Sequence, residues 1–291
     1  MIRVGWVGLG AMGGPMAAIA AKDHAVVAYD INPDAAARLR DAGVVAAPTV
    51  AAAATGADIL AVMVATEAQT EAVLFGPEGA AAHLPPGSVV LVMGTVGPDA
   101  VAGWGQRLAP LSVGLVDAPV SGGVARAASG DLLMMVSGSE ADVAAVATLL
   151  DALANRAPLV GGTPGDGQKV KLVNQLLCGV HIAAAGEALA FATALGLDAR
   201  STWETIRHGA AASFMLDDRG ERMLDEAFDE PRSAIDIFVK DMGLVVGAAE
   251  RAGAWTPIAA TAGGLFQRGH DAGLGRKDDS AIITVLERGE A

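Results

Sequence analysis

Val4-Gly5-Trp6-Val7-Gly8-Leu9-Gly10-Ala11-Met12-Gly13-Gly14-Pro15-Met16-Ala17 is the stretch on which the reading of this 291-residue chain turns. A short apolar run that suits a buried strand meets three glycines spaced G-x-G-x-x-G, and an alanine-rich helical segment follows. The spacing assigns Gly8 to a tight turn, Gly10 to close approach of a pyrophosphate, and Gly13 to helix-on-strand packing. Leu9, Ala11 and Met12 complete the cofactor loop, and a helix opening there aims unpaired N–H groups at an anion. With 37 glycines in the chain the bare pattern is unspecific; the strand–turn–helix setting makes it specific.

Asp30 closes the second apolar run, Ala25-Val26-Val27-Ala28-Tyr29, and stands 22 residues after Gly8. That is close to the roughly 20 expected for the carboxylate that binds the adenosine ribose of a dinucleotide. A carboxylate repels a 2′-phosphate, and Ile31 and Asn32 supply no arginine to welcome one, so NAD is expected over NADP. The bland alternative is that Asp30 only opens the Asp30-Ile31-Asn32-Pro33 turn and caps the helix from Pro33.

Bulk properties narrow the class. The chain is 52% hydrophobic, enough for a sizeable core, yet no uninterrupted apolar run reaches the ~20 residues of a membrane span. The sequence enters its first strand with no charged n-region or cleavage site, which predicts a cytoplasmic protein. One cysteine, Cys178, allows no internal disulfide and suggests no metal cluster. A net charge of −13 with scattered basic residues opposes nucleic acid and anionic membranes as partners. An anionic substrate therefore needs locally placed cations.

Strand-like and helix-like segments alternate through the first half. Expected strands are Arg3–Val7, Ala25–Asp30, Ile59–Val64, Val89–Met93, Gly114–Asp117, Leu132–Ser137 and Pro158–Val160. Helical stretches such as Pro33–Ala42, Glu67–Phe75, Pro98–Leu108 and Glu140–Leu153 lie between them. Alternation of this kind predicts an α/β fold with a doubly wound parallel sheet and ligands at the carboxyl ends of its strands. After Gly161-Gly162-Thr163-Pro164-Gly165 the pattern becomes helical only. We expect one domain over residues 1–162 and a helical one over 163–291, joined by a long helix over about 168–195. Gly179 and Gly186 suit close packing of that helix. Further helices are expected from Ser201 to His208, from Ser233 to Ala252 and from Pro257 to about His270, with a last one capped by Asp278-Asp279-Ser280.

Three further stretches can carry chemistry. In Asp117-Ala118-Pro119-Val120-Ser121-Gly122-Gly123, just past a strand, Gly122 and Gly123 free N–H groups for a carboxylate and Ser121 adds a hydroxyl. An ordinary Pro/Gly turn is the alternative. In Gly165-Asp166-Gly167-Gln168-Lys169-Val170-Lys171-Leu172-Val173-Asn174-Gln175, Lys171 and Asn174 share a helix face. Lys171 can take the proton of a substrate hydroxyl. Asn174 can hold the same oxygen, or the carboxylate, with its amide. Lys169 reads as a solvated lysine. Lys240-Asp241 sits in an apolar segment, where a charged pair needs a partner or solvent; an exposed helix face is the plain alternative. Cys178 and His181 read as packing residues, since two ligands make no metal site.

Gly8–Met16, Asp117–Gly123, Gly165–Asn174 and Lys240-Asp241 together resemble the four signatures of the β-hydroxyacid dehydrogenases, in the right order and over essentially the whole chain. That family includes 3-hydroxyisobutyrate dehydrogenase, tartronate semialdehyde reductase and 6-phosphogluconate dehydrogenase. The resemblance implies a Rossmann domain, a long interdomain helix and a helical domain that often builds a dimer, so a homodimer or homotetramer is expected. It implies Lys171 as catalytic acid/base with Asn174 as helper, and Ser121, Gly122 and Gly123 as the carboxylate site. It also implies Thr95 beside the nicotinamide and Lys240 closing over the cofactor. Two departures stand out: Asn174-Gln175 replaces a pair of asparagines, and Ser233 stands where an aromatic is usual. A hydroxyl in place of a ring favours a polyhydroxylated substrate. Asn174–Ile182, Ala68–Gly76 and Gly275–Ala281 look like the four-carbon sugar-acid branch, the L-threonate 2-dehydrogenase type. The competing expectations are a 3-hydroxyisobutyrate dehydrogenase, a tartronate semialdehyde or succinic semialdehyde-type reductase, an NADP-dependent aldehyde reductase, which Asp30 opposes, an imine reductase, which typically lacks the lysine, and a catalytically silent NAD(P)-binding protein.

Overall fold

The computed structural model describes residues 1–288. Its elements begin β1 (Arg3–Val7), α1 (Gly13–Ala20), β2 (Ala25–Tyr29), α2 (Pro33–Ala37), β3 (Val45–Ala46), α3 (Val50–Ala54), β4 (Ile59–Val62), α4 (Glu67–Phe75), β5 (Val89–Val92) and α5 (Pro98–Leu108). They continue with β6 (Gly114–Asp117), β7 (Val120–Ser121), α6 (Gly123–Ser129), β8 (Leu132–Met134), β9 (Val136–Ser137), α7 (Glu140–Leu153), β10 (Ala154–Arg156) and β11 (Leu159–Gly161). Helices follow from there: α8 (Asp166–Ala194), α9 (Ala199–Ile206), α10 (Phe214–Leu224), α11 (Ile235–Arg251), α12 (Pro257–Gly269) and α13 (Ile282–Arg288). Two compact units, Met1–Lys171 and Leu172–Ala291, divide the chain inside α8.

The first unit is a mixed α/β Rossmann-like domain. Its eight-stranded sheet has the order β11-β9-β6-β5-β4-β1-β2-β3, and the six strands from β6 to β3 run parallel. The order turns back between β1 and β4, the point where doubly wound sheets hold their ligands. Both faces are buried, so the strands read as unbroken apolar runs whose alternate residues enter different cores. In β5, Val89 and Leu91 pack with Trp6 and Met16, whereas Val90 and Val92 pack with Leu74 and Trp104. Each such side chain, removed from water, contributes roughly 1.5–3 kcal/mol before entropy is counted.

Several expected elements are shorter or divided. Leu132–Ser137 is two strands, because Met135 donates its N–H to Pro119 O between them. β8 then joins a separate three-stranded sheet, β10-β8-β7, while β9 pairs antiparallel with β6. The expected helix Pro33–Ala42 stops at Ala37; a short 3-10 turn over Arg40–Ala42 closes on Gly43 at φ 89°.

The second unit is helical. Ile182 and Leu189 of α8, Trp203 of α9, Met223 of α10, Phe238 and Met242 of α11, Phe266 of α12 and Ile282 of α13 form one core. Phe238 and Phe266 stack with centroids 5.0 Å apart. A Cβ on Gly179 would lie 2.3 Å from Met242 Sδ, so this glycine sets how closely α8 and α11 approach. The helix expected from Ser201 begins at Ala199, because Asp198 caps it, accepting from Ser201 N at 2.7 Å. Sequence reading missed α10, although Ser213 caps it. The helix expected from Ser233 begins at Ile235, because Ser233 O accepts from Asp279 N and Ala234 bridges Asp278. α8 is long and apolar enough to cross a membrane by composition, as the core helices of soluble proteins also are.

Candidate active site

The loop between β1 and α1 opens at the switch point of the sheet. Gly8 has φ 96°, and a Cβ there would lie 2.3 Å from Met63 O; a Cβ on Gly13 would lie 2.1 Å from Gly8 O. A Cβ on Gly10 would meet nothing within 4 Å. The protein therefore needs Gly8 and Gly13 for its own packing, but nothing in it requires glycine at position 10. α1 has no side-chain cap. Among the described residues the N–H groups of Gly10, Ala11 and Met12 find no protein acceptor. An open glycine position with unspent N–H donors beside it at a helix start suits a pyrophosphate, so these residues fit a dinucleotide.

Asp30 lies beside that loop. Its Oδ2 accepts from Leu9 N at 2.6 Å and its Oδ1 from Asn32 N at 2.8 Å. The capping role in the alternative reading belongs instead to Asn32, whose Oδ1 accepts from Asp34 N at 3.1 Å. Asp30 thus ties the end of β2 to the glycine loop, and each oxygen keeps a lone pair.

Asp117, fully buried at the end of β6, organises the start of α8. Its Oδ1 accepts from Gly165 N and from the Ser137 hydroxyl, its Oδ2 from Gln168 N at 2.9 Å, and Ser137 Oγ accepts from Gly167 N at 2.9 Å. Burial pushes its carboxyl up, and these donors offset the rise only in part. The orphan donors of α8 are thereby satisfied from the sheet. Gln168, also fully buried, reaches the other way: Nε2 donates to Gly94 O at 3.1 Å, and Oε1 accepts from Val96 N at 3.0 Å and Gly97 N at 3.3 Å. The loop carrying Thr95 is thus bound to the turn of α8 that leads into Lys171, itself only 6% exposed. Sequence reading singled out neither Asp117 nor Gln168. A buried-type carboxylate at a strand end and a glutamine in a helix's first turn were the available signals.

Ser121 ends β7 in the small sheet, not the parallel one. Gly122 and Gly123 follow with φ 137° and 73°. A Cβ on Gly122 would lie 2.7 Å from Arg126 Cδ, whereas one on Gly123 would meet nothing within 4 Å. Among the described residues neither glycine's N–H has a protein acceptor.

In the helical unit, Asn174 and Lys240 belong to one polar chain. Asn174 Nδ2 donates to Gln175 Oε1 at 2.9 Å and to Cys178 Sγ at 3.3 Å. Gln175 Nε2 donates to Asp241 Oδ2, and Lys240 Nζ lies 2.9 Å from Asp241 Oδ1. That last contact is an ion pair without hydrogen-bond geometry, since Oδ1 accepts no hydrogen bond from the described residues. Both N–H groups of Asn174 thus have acceptors within the chain, whereas the sequence reading left them for the substrate's hydroxyl oxygen or carboxylate. Lys169 pairs with Asp166 at 2.8 Å and is exposed.

Comparison with known proteins agrees with this layout. Residues 3–162 match the model for the NAD-binding domain of 6-phosphogluconate dehydrogenase, and residues 165–286 that for the NAD-binding region of NADP-dependent 3-hydroxyisobutyrate dehydrogenase. The chain belongs to the 3-hydroxyisobutyrate dehydrogenase-like family of hydroxyacid dehydrogenases. It is 41% identical over 285 residues to an L-threonate dehydrogenase of Cupriavidus necator, covering 98% of this chain and 96% of that protein. It is 34% identical over 287 residues to the 2-hydroxy-3-oxopropionate reductase of Escherichia coli, covering 98% and 97%. The crystal structure of a 3-hydroxyisobutyrate dehydrogenase from Salmonella typhimurium superposes with a TM-score of 0.92 at 39% identity, covering 98% of this chain and 100% of that one. The dehydrogenase is accordingly an NAD(P)-dependent oxidoreductase acting on hydroxy acids.

Proposed function

We propose that this dehydrogenase oxidises a four-carbon sugar acid, L-threonate above its relatives, with NAD as acceptor, in the cytoplasm and as a homodimer or homotetramer. The observation that carries the substrate class is the likeness to L-threonate dehydrogenases over 98% of the chain. Residues 1–162 serve as the cofactor domain and 163–291 as the substrate and dimerisation domain. The loop Gly8-Leu9-Gly10-Ala11-Met12-Gly13 holds the pyrophosphate through the N–H groups of Gly10, Ala11 and Met12. Asp30 accepts from a ribose hydroxyl, and its charge disfavours a 2′-phosphate, which supports NAD over NADP. Thr95 and Lys240 flank the nicotinamide end.

The nicotinamide, when bound, supplies the hydride acceptor. Ser121, Gly122 and Gly123 hold the substrate carboxylate through the serine hydroxyl and two N–H groups. Lys171 Nζ takes the proton of the hydroxyl as hydride leaves the same carbon, so the C–H electron pair departs and the carbonyl forms. In the reverse direction the ammonium returns that proton. The test is a panel of L-threonate, D-erythronate, D-glycerate and 3-hydroxyisobutyrate with NAD and NADP, read as reduced cofactor. L-Threonate with NAD is expected to give the highest kcat/KM. Lys171→Ala should lower turnover about 10²–10⁴-fold with NAD binding unchanged. Near-wild-type turnover in that variant removes Lys171 from its role, and a preference for NADP removes Asp30 from its own.

A further inference from the structure

The polar chain from Asp241 to Asn174 has a direction. A carboxylate paired with the Lys240 ammonium can only accept hydrogen bonds, so Gln175 must turn its Nε2 toward Asp241. Its Oε1 then faces Asn174 and can only accept, so Asn174 must turn its own Nδ2 toward Gln175. The second N–H of Asn174 goes to Cys178 Sγ. What remains of the half-buried Asn174 amide is Oδ1, which accepts from no protein donor among the described residues. Asp241 is 2% exposed and Gln175 6% exposed, so water does not compete for the arrangement.

We propose that Gln175 and Asp241 are positioning residues that lock Asn174 as a pure acceptor for a substrate hydroxyl other than the one oxidised. The inference rests on the hydroxy-acid reading above. A hydroxyl carries one proton, and in the oxidation that proton passes to Lys171 Nζ. The reacting hydroxyl therefore has none left for Asn174 Oδ1. The acceptor needs a second O–H, and a vicinal diol acid supplies one beside the reacting carbon. Hydroxy acids with a single hydroxyl forgo that hydrogen bond, and its loss is a basis for discriminating against them. The device thus selects polyhydroxylated acids through a donor that the substrate must bring.

The experiment measures dissociation constants from the enzyme–NADH complex, in which a hydroxy acid binds without reacting. The ligands are L-threonate and two analogues whose hydroxyl next to the oxidised carbon is replaced by hydrogen or by fluorine. Fluorine keeps an acceptor and loses the donor. Both analogues are expected to bind about tenfold or more weakly, with fluorine recovering nothing, since one hydrogen bond of ~1.4 kcal/mol is tenfold. A fluoro analogue binding within about twofold of L-threonate overturns the proposal without touching the oxidation itself. In Gln175→Met the Asn174 amide is free to turn, so the preference for hydroxyl over fluorine should shrink toward one; an unchanged preference also overturns it. Asp241→Asn, nearly isosteric, should shrink it in the same direction. If a variant does not fold, the analogue series on the wild-type enzyme decides alone. Failure of the wild type to oxidise any acid in the panel removes the hydroxy-acid reading and this inference together.

Discussion

Gly10 and Gly13 are three residues apart and are constrained by different partners. A Cβ on Gly13 runs into the Gly8 carbonyl at 2.1 Å, whereas a Cβ on Gly10 reaches no protein atom. Gly13→Ala should therefore destabilise the protein by about 1–3 kcal/mol in urea unfolding, as overpacking does. Gly10→Ala should leave stability unchanged or raise it by up to ~1 kcal/mol, while weakening NAD about tenfold or more, a loss of ~1.4 kcal/mol. Equal effects of the two on stability would mean that the loop is not shaped for a ligand. Gly8 and Gly13 were legible in the sequence because a fixed short spacing between a strand and a helix announces them, even though the atom that Gly8 must clear, Met63 O, lies far along the chain. The polarity of Asn174 was not, because it is fixed by Asp241, 66 residues from Gln175. The capping role offered to Asp30 went to Asn32 because Asn32 is the residue immediately before the helix, where a side-chain oxygen meets the second N–H.

Helices with strong starts were readable as elements. α4, α5 and α7 have the expected bounds, since Thr66, Pro98 and Ser139 mark their beginnings within one residue. α8 differs, for its cap comes from Asp117 and Ser137 on the sheet, a signal that no window along the chain contains. Asp117→Ala should leave the N–H groups of Gly165 and Gln168 without that acceptor and lower stability by about 2–6 kcal/mol, at ~1–3 kcal/mol per stranded group. Urea midpoints check this. On α11, the Asp236 carboxylate lies 2.7 Å from His270 Nδ1, and its hydrogen bond and charge hold the imidazolium pKa above its ordinary value. The pair's stabilisation is present in full below the ordinary imidazole pKa of about 6.5 and is lost as pH rises through the raised value. NMR titration of His270 should show the raised value returning to the ordinary one in Asp236→Asn; no movement would mean that the pair does not form in solution.

The whole chain joins a doubly wound sheet to a helical unit, and alternation followed by helix-only texture announced both. The small β10-β8-β7 sheet escaped notice because its strands are two or three residues long. Where the long helix passes from one compact unit to the other, after Lys171, is likewise a property of packing rather than of pattern. A net charge of −13 keeps small anions away on average, yet the loop before α1 offers three N–H groups with no protein acceptor among the described residues. Donors of that kind suit phosphate oxygens, whatever molecule carries them. The choice of assay buffer then becomes a variable of the enzyme: inorganic phosphate should compete with the dinucleotide, raising the apparent KM for NAD relative to an organic zwitterionic buffer matched in ionic strength. The same salt should slow thermal inactivation of the cofactor-free enzyme, so storage in phosphate and assay without it are the conditions this loop recommends.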